Sequence, residues 1–364
     1  MPTMQKRSYT LSLATPAFLG GALQSAEWRT PPLKALLREW WRVAVAPNPE
    51  VGYSCGKLKQ RETALFGTAA DDSSGANRQS SIRLSLAHWH DGKLTDWSQA
   101  NPASKGRPGE DPRIRHPEVQ FGNGMIGSQL YLGYGPLILE KGKPAPKLKS
   151  GAALQADETN ALSVAFPSTD ETDLTRALTL IHWFGTIGGR SRNGWGSLLL
   201  KPASNSPALQ TLSSDALQAT GALRALADCL QCDWPHAVGT DRKGPLVWQS
   251  SLFDDWRSAM RFLAERKIGF RTALRFTDGK NVSAPEPRHL LAYPVTNHSV
   301  RPWGNERIAN TLRFKLHAEA GKLRAVIYHT PCQPTLPYRG IDLLDTWQQV
   351  HRHLDAQATL TRLR

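Results

Sequence analysis

The residues of this chain best suited to hold an anion lie in the run Thr186-Ile187-Gly188-Gly189-Arg190-Ser191-Arg192-Asn193-Gly194-Trp195-Gly196-Ser197. Four glycines within nine residues permit positive φ and a close backbone approach, and two arginines add charged donors. Gly188, Gly189 and Gly194 would offer backbone N–H groups to a phosphate, and Arg190, Ser191, Arg192 and Asn193 would offer side-chain donors. Trp195 would either stack on a base or anchor the loop. The run is no nucleotide-cofactor motif, because Gly-x-x-x-x-Gly-Lys-Ser/Thr is absent and the glycines follow a helical stretch rather than a strand. The competing reading is a tight helix-to-strand turn with solvated arginines.

A second cationic group precedes it. Lys34, Arg38, Trp41 and Arg42 stand at i, i+4, i+7 and i+8, one face of a helix, where three cations and an aromatic ring would suit a sugar–phosphate backbone with a stacking platform. The alternative is a solvated face with Trp41 partly covered. Histidines are the remaining candidates for chemistry, since metal-free RNA cleavage needs a base on the 2′-hydroxyl, an acid on the leaving oxygen and a cation for the phosphorane. His182 falls inside a helix with no paired base, and His88-Trp89-His90 puts two imidazoles on one strand face without a third ligand or a carboxylate. No catalytic set emerges. Cys229-x-x-Cys232, with His236, Cys55 or Cys332 to complete it, is a weak metal pair and reads better as a buried thiol near a helix end. We therefore expect neither metal nor cofactor.

The elements that must position these residues are legible in outline. Residues 9–13 alternate as a strand, and a Pro/Gly loop (15–22) leads to a helix with Thr30 as N-cap, Pro31 at N1 and an apolar stripe of Leu33, Leu36, Leu37, Trp40 and Ala44. Residues 82–89 and 162–166 read as strands, as do 129–134. The stretch 98–124, with Lys105, Arg107, Arg113 and Arg115, reads as an excursion from the domain. A helix over 170–185, opened by a capping box from Ser168 to Glu171, carries Leu174, Leu178, Ile181 and Phe184 on one face and delivers the chain into the glycine run; residues 197–200 follow as a strand. Residues 202–214, rich in proline and serine, mark a boundary between domains 1–201 and 202–364. Beyond it we expect helices at 215–230, 254–266 and 343–354, a hairpin around 241–244, and strands near 289–295, 311–317 and 323–329. Arg257, Arg261, Arg266, Lys267, Arg271 and Arg275 make this half markedly basic.

Composition sets the class of partner. At 364 residues, 40% hydrophobic and 21% charged, the chain can build two cores. A formal charge of +14 and a pI near 9.8 favour a polyanion, nucleic acid before membrane, because no apolar run of 18 residues or signal-peptide core is present. Sparse cysteines agree with a reducing compartment, so the expected location is cytoplasmic, with no membrane and no small-molecule substrate.

Gly-Gly-Arg-Ser-Arg-Asn-Gly-Trp-Gly-Ser after a helix resembles the glycine-rich loop of the RAMP superfamily, the repeat-associated RNA-binding proteins of CRISPR systems. Three N-terminal blocks sharpen the likeness toward the family of first subunits of the type III-B Cmr effector complex. They are Thr15-Pro16-Ala17-Phe18-Leu19-Gly20-Gly21-Ala22, the run from Ala26 through Thr30-Pro31-Pro32 to Trp40-Trp41-Arg42, and Arg61-Glu62-Thr63-Ala64-Leu65-Phe66-Gly67. The blocks cover the first 200 residues well. In the second half, residues 288–295 and 307–315 resemble the closing strands more faintly, and Asn193 departs from a place often basic in relatives. The resemblance implies an α+β chain of two ferredoxin-like (RRM-like) domains with insertions. It implies a non-catalytic subunit that binds guide RNA, in its 3′ part, and/or target RNA beside other Cmr-type subunits in antiviral defence. A RAMP endoribonuclease that processes guide or cuts target RNA is the alternative within the family; a scaffold subunit meeting acidic protein partners is the alternative outside it.

Overall fold

The computed structural model describes residues 3–21, 24–68, 77–102, 109–143 and 145–364, so Lys105 and Arg107 lie outside the described residues. It is a mixed α+β chain that divides into two compact units. One comprises Met1–Pro102, Lys147–Ser191 and Trp195–Ala222; the other comprises Ala103–Pro146, Arg192–Gly194 and Leu223–Arg364. The division thus falls about twenty residues later than the proline- and serine-rich stretch suggests, and the 98–124 excursion belongs mostly with the second unit. Sequence locality misleads here, because packing rather than composition decides which core a segment joins.

In the first unit the chain runs β1 (Met4–Leu13), α1 (Thr30–Val45), α2 (Cys55–Phe66), β2 (Arg83–Leu86), β3 (Thr159–Pro167), α3 (Glu171–Phe184) and β4 (Leu198–Pro202). The sheet order is β2-β3-β1-β4, antiparallel throughout. Tyr9, Leu11 and Leu13 of β1 and Leu162, Val164 and Phe166 of β3 are buried, as are the inner faces of α1 and α3, where Trp40 stacks on Phe184 with centroids 5.5 Å apart. The opposite positions of β1 and β3 are polar or small, the period-two pattern of a sheet with one face in water. Two helix starts differ from the expected ones. Arg29, not Thr30, is the N-cap of α1, which puts the proline in the first turn without a side-chain cap. Residues Ser168–Asp170 form a 3-10 turn with no capping box, so α3 starts on its own acidic first turn, Glu171 and Asp173.

Apart from α2, the second unit repeats that order of elements: β5 (Val247–Phe253), α4 (Trp256–Ala273), β6 (Leu312–Glu319), β7 (Lys322–His329), α5 (Leu343–Asp355) and β8 (Leu360–Arg362). Its sheet runs β6-β7-β5-β8, again antiparallel. Asp255 caps α4 by accepting from the Arg257 and Ser258 amides at 2.8 and 3.1 Å, and Asp342 caps α5. β6 and β7 are joined by the two-residue turn Ala320-Gly321, both at positive φ, the twist that suits a tight hairpin.

Several expected elements take another form. Residues 129–134 are not a strand: Ser128–Gly133 is a short helix whose first amides, Gln129 and Leu130, are held by buried Asp111 at 2.8 and 2.9 Å. Burial pushes the Asp111 carboxyl up despite those bonds. The stretch 215–230 breaks at Gly221, with φ +70, into helix Ser214–Ala219, strand Leu223–Ala225 and helix Leu226–Cys229. Val238–Asp241 pairs with Gly244–Pro245, while β5 leaves for another sheet, and residues 287–291 form a 3-10 turn rather than a strand.

Candidate nucleic-acid interface

The glycine run is clasped by the segment that follows β1. Ser197 accepts from the Ala14 amide at 2.8 Å, the Ser197 amide donates to Thr15 Oγ1 at 3.0 Å, and the Gly196 and Gly189 amides donate to the Pro16 and Phe18 carbonyls at 2.9 and 2.8 Å. The loop therefore leans on residues 14–18, the start of the first N-terminal block. Two glycines are required by this closeness. A Cβ on Gly196, at φ +63, would stand 2.0 Å from the Ile187 carbonyl oxygen, and one on Gly188, at φ +90, 2.7 Å from that of Phe18.

These hydrogen bonds and packing partners correct part of the expected site. Trp195 is fully buried between Phe18 and Trp97, with centroids at 5.3 and 5.5 Å, so of its two possible roles it takes the anchor. The Gly189 amide serves the Phe18 carbonyl and does not face an anion. Asn193 is buried too: it donates to the Leu132 carbonyl and accepts from Lys267 Nζ, each at 2.8 Å, while Phe314 donates to the Arg192 carbonyl at 3.1 Å. Gly194 is likewise buried. What the loop presents outward is Arg190, exposed and at φ +56, with Ser191 and Arg192 half-buried. An arginine in left-handed backbone is strained where glycine or asparagine would not be, which points to a use for its side chain.

The cationic face of α1 is also reorganised. Trp41 is buried, edge-on to Phe66 at 5.4 Å, so it is no stacking platform; at i+7 from Lys34 its ring swings toward α2 instead of water. Arg38 and Arg42 both grip Glu62 of α2, at 2.8 Å from Arg38 Nε and 2.7 Å from Arg42 Nη2, and Lys34 donates to the Phe66 carbonyl at 3.2 Å. Burial alone would raise the Glu62 carboxyl, but the hydrogen bonds from Arg42 and Arg38 outweigh it and hold it below its ordinary range. The Glu62-to-Phe66 block thus ties α2 to α1. Glu62 was the residue to look for: a carboxylate among cations, three residues ahead of the apolar Leu65-Phe66 pair.

Reading by motif missed a cationic surface of this unit. The outward positions of the β2-β3-β1-β4 sheet include Arg83 and Ser85, then Thr159, Ala161, Ser163 and Ala165, then Lys6, Ser8, Thr10 and Ser12, then Leu199 and Lys201, tied by register as Arg83–Ala165–Lys6 and Ala161–Thr10–Lys201. Lys6, Thr10, Arg83, Ser85, Ala161 and Lys201 are exposed, and no carboxylate stands among them. Beyond the end of β2, Trp89 is 63% exposed beside exposed His88. The strand ends at Leu86, so the two imidazoles of 88–90 do not share a strand face; the His88 backbone is held by the Asn160 side chain and His90 turns to the Asp91 carbonyl.

A second group missed in the sequence lies in the other unit. Strands Arg113–Arg115 and Met125–Gly127 pair as a hairpin. Between them Glu118 meets both guanidinium nitrogens of Arg288 at 2.5 and 2.9 Å, and His116 sits edge-on to Tyr131 at 5.9 Å. Lys267 of α4 lies 5.7 Å over the Tyr131 ring, and Arg271 follows one turn later. Arg288 covers Phe276 at 4.8 Å, which stacks on His298 at 3.9 Å. Burial pushes His116 and His298 down, and hydrogen bonds from Arg288 hold Glu118 low. Residues far apart in sequence make this group, and no local spacing reveals it.

Among the described residues no three His, Cys, Asp or Glu side chains are placed to hold a metal ion. Cys229 is buried, which pushes its thiol up to about 12, and Arg224 stands between Cys232 at 3.6 Å and His236 at 2.6 Å. No described helix is long and apolar enough to cross a membrane.

Known proteins offer distant likenesses to this geometry. No protein-family model matches the chain, and no curated protein matches it. Among solved structures it is similar to Cmr1 from Pyrococcus furiosus in its apo form, with 14% identity over 93% of this chain and 92% of that one, at a TM-score of 0.47. A chain of the type III-B Cmr-beta complex bound to cognate target RNA and AMPPnP is similar at 12% identity over 97% and 99%, TM-score 0.46. A chain of a type IV-B CRISPR complex is similar over 57% of this chain and 93% of its own, with 12% identity and a TM-score of 0.30.

Proposed function

We propose that this chain is an RNA-binding subunit of an RNA-guided effector of the type III-B kind, working in the cytoplasm beside other Cmr-type subunits and holding guide RNA, target RNA or both without cutting them. On this reading each β-α-β-β-α-β unit is a ferredoxin-like domain, the second joined by the 109–146 insertion. The observation that carries it is the open face of the first unit's sheet. Lys6, Arg83 and Lys201 are spread over small and hydroxyl side chains with no carboxylate between them, so a polyanion can lie flat across the strands without repulsion. Exposed Trp89 offers a ring at the end of β2 on which an unpaired base can stack, and Arg190 adds a cation from the glycine loop. Affinity would be mainly electrostatic and weakly dependent on sequence.

The test is binding of a labelled single-stranded RNA of about 40 nucleotides, long enough to span several cations, to the wild-type chain and to a Lys6→Ala/Arg83→Ala/Lys201→Ala variant over a salt series. A gel for cleavage is run in parallel. Each phosphate that the variant no longer neutralises should flatten the plot of log affinity against log salt by about 0.7. Equal slopes would remove the face from the interface. Metal-independent cleavage abolished by changing one histidine would replace the binding role with an enzymatic one, and salt-insensitive assembly without RNA would favour a scaffold.

A further inference from the structure

Cys229 and Cys232 find no third ligand among the described residues, and the side chain set against them gives the pair another use. Arg224 lies on strand Leu223–Ala225, held in parallel register by Val238–Asp241. Its Nη1 carries two hydrogens and contacts both the Cys232 sulfur, at 3.6 Å, and His236 Nε2, at 2.6 Å. His236 is fully buried, and its Nδ1 lies 2.8 Å from the Trp234 carbonyl, which can only accept. The ring hydrogen is therefore on Nδ1, and Nε2 turns its lone pair to the guanidinium. Burial pushes this imidazole down and keeps it in that neutral form, although the Trp234 hydrogen bond opposes the shift. A cation fixed by a strand and a ring is thus set on a sulfur.

The two thiols are unlike. Cys232 is half-buried, open to a small solute, whereas Cys229 is fully buried, donates to the Arg224 carbonyl at 3.6 Å, and is pushed by burial up to about 12. The Cys232 amide donates to the Cys229 carbonyl at 3.3 Å. That bond closes a turn whose ends stand less than about 7 Å apart at Cα, against the roughly 4.4–6.8 Å that a disulfide spans. A half-open thiol beside an arginine, with a second thiol one turn away, suits reaction with a peroxide. We propose that Cys232 is a modification site for hydrogen peroxide and that Cys229 then joins it in a disulfide. The Cys232 sulfur attacks one peroxide oxygen, an S–O bond forms as the O–O bond breaks, and the departing hydroxide takes the thiol proton to become water. Arg224 stabilises the anionic sulfur that attacks. The Cys229 sulfur next attacks the Cys232 sulfenic acid: the S–S bond forms, the S–O bond breaks, and hydroxide leaves with the Cys229 proton as a second water. The two sulfurs give up two electrons in all, and the peroxide takes them. In a reducing compartment such a bond is transient, made under oxidant and reversed by thiols. The inference stands apart from the RNA-binding reading and uses none of its residues.

The experiment uses the full chain with Cys55→Ser, which removes the exposed thiol of α2, reduced and then treated with hydrogen peroxide at neutral pH. Free thiols are counted by alkylation, and the linkage is mapped by mass spectrometry of peptides. The expected result is loss of two thiols, a Cys229–Cys232 linkage, and recovery of both thiols with dithiothreitol. With Cys229→Ser added, Cys232 should stop at the sulfenic acid and be trapped by dimedone; with Cys232→Ser instead, Cys229 should stay reduced. Arg224→Gln, checked for folding by circular dichroism, should slow the first step about tenfold, the effect of one hydrogen bond to a charged group. Should that variant unfold, the two cysteine variants, each exchanging sulfur for oxygen, still decide which residue reacts. Cys232 left reduced at peroxide levels that oxidise Cys332 would overturn the proposal. A linkage to Cys332 would overturn the part given to Cys229, and a folded Arg224→Gln that reacts at the wild-type rate would overturn the part given to the guanidinium.

Discussion

The two units follow one chain path and use it differently. In the first, β1 and β3 alternate between buried and open positions, and the helix α3 reaches β4 through the long glycine loop. In the second, Leu312–Leu316 of β6 and 325–329 of β7 are buried without alternation, Arg313, Lys315 and His329 included, and α5 reaches β8 through residues 356–359 alone. One sheet therefore leaves a face open to solvent and the other has both faces covered. The difference teaches where polar residues are tolerated. Charge on the first sheet is solvated and can serve binding, whereas charge in the second is desolvated: burial drives the Lys315 ammonium far below its usual range, and His329 and His351 with it.

The contrast can be broken most forcefully at the tryptophans. Trp195→Ala, which empties a site enclosed by Phe18 and Trp97, should lower stability by about 4 kcal/mol in chemical denaturation, while exposed Trp89→Ala should stay within about 0.5 kcal/mol. Equal effects would mean that the loop is not anchored by its ring.

Next in size is a pH effect carried by the second unit. His329 hydrogen-bonds Thr311 and His351, each at 3.0 Å, and burial pushes His351 down to about 3, with Arg362 adding to it and Asp355 opposing. A histidine lowered by folding binds its proton more readily when unfolded. Stability is therefore full above about pH 6.5 and is lost, by a few kcal/mol, as pH falls from there toward 3. Denaturation at stepped pH should show this slope, and His351→Gln, which cannot titrate, should reduce it.

A smaller effect belongs to the α1–α2 clamp. Glu62→Gln should lower stability by about 1–3 kcal/mol at neutral pH, because Arg38 and Arg42 lose the charge between them. The same variant sharpens the question of which cations meet RNA: if α1 contributes once released, affinity rises, and if only the sheet face does, it does not. The smallest effect on stability should come from Lys6→Ala, Arg83→Ala and Lys201→Ala, each within about 0.5 kcal/mol, although these are the changes expected to flatten the salt dependence most.

Much of the local architecture was legible. The stripe Leu33, Leu36, Leu37, Trp40 and Ala44 is buried as its spacing requires, and α3, β4, β6, β7 and α5 lie within a few residues of their expected places. Misreadings arose where a tertiary partner overrode a local pattern. Residues 129–134 alternate well enough for a strand, but Asp111 captures their amides and winds a helix. Trp41 sits on the cationic side of its helix, yet α2 covers that side and buries it.

By itself the sequence determined the strong positive charge and the periods of the main elements, because net charge and hydrophobic spacing are properties of the chain before it folds. It also marked the glycine loop, since residues that tolerate positive φ announce a sharp backbone path. Only the tertiary structure decided which side chains of that loop turn outward, which cations are already spoken for by Glu62, and that Arg288 is paired with Glu118, 170 residues away in the chain. Those are matters of desolvation and pairing between residues far apart in the chain, and a charge acquires a neighbour only when the chain has closed around it.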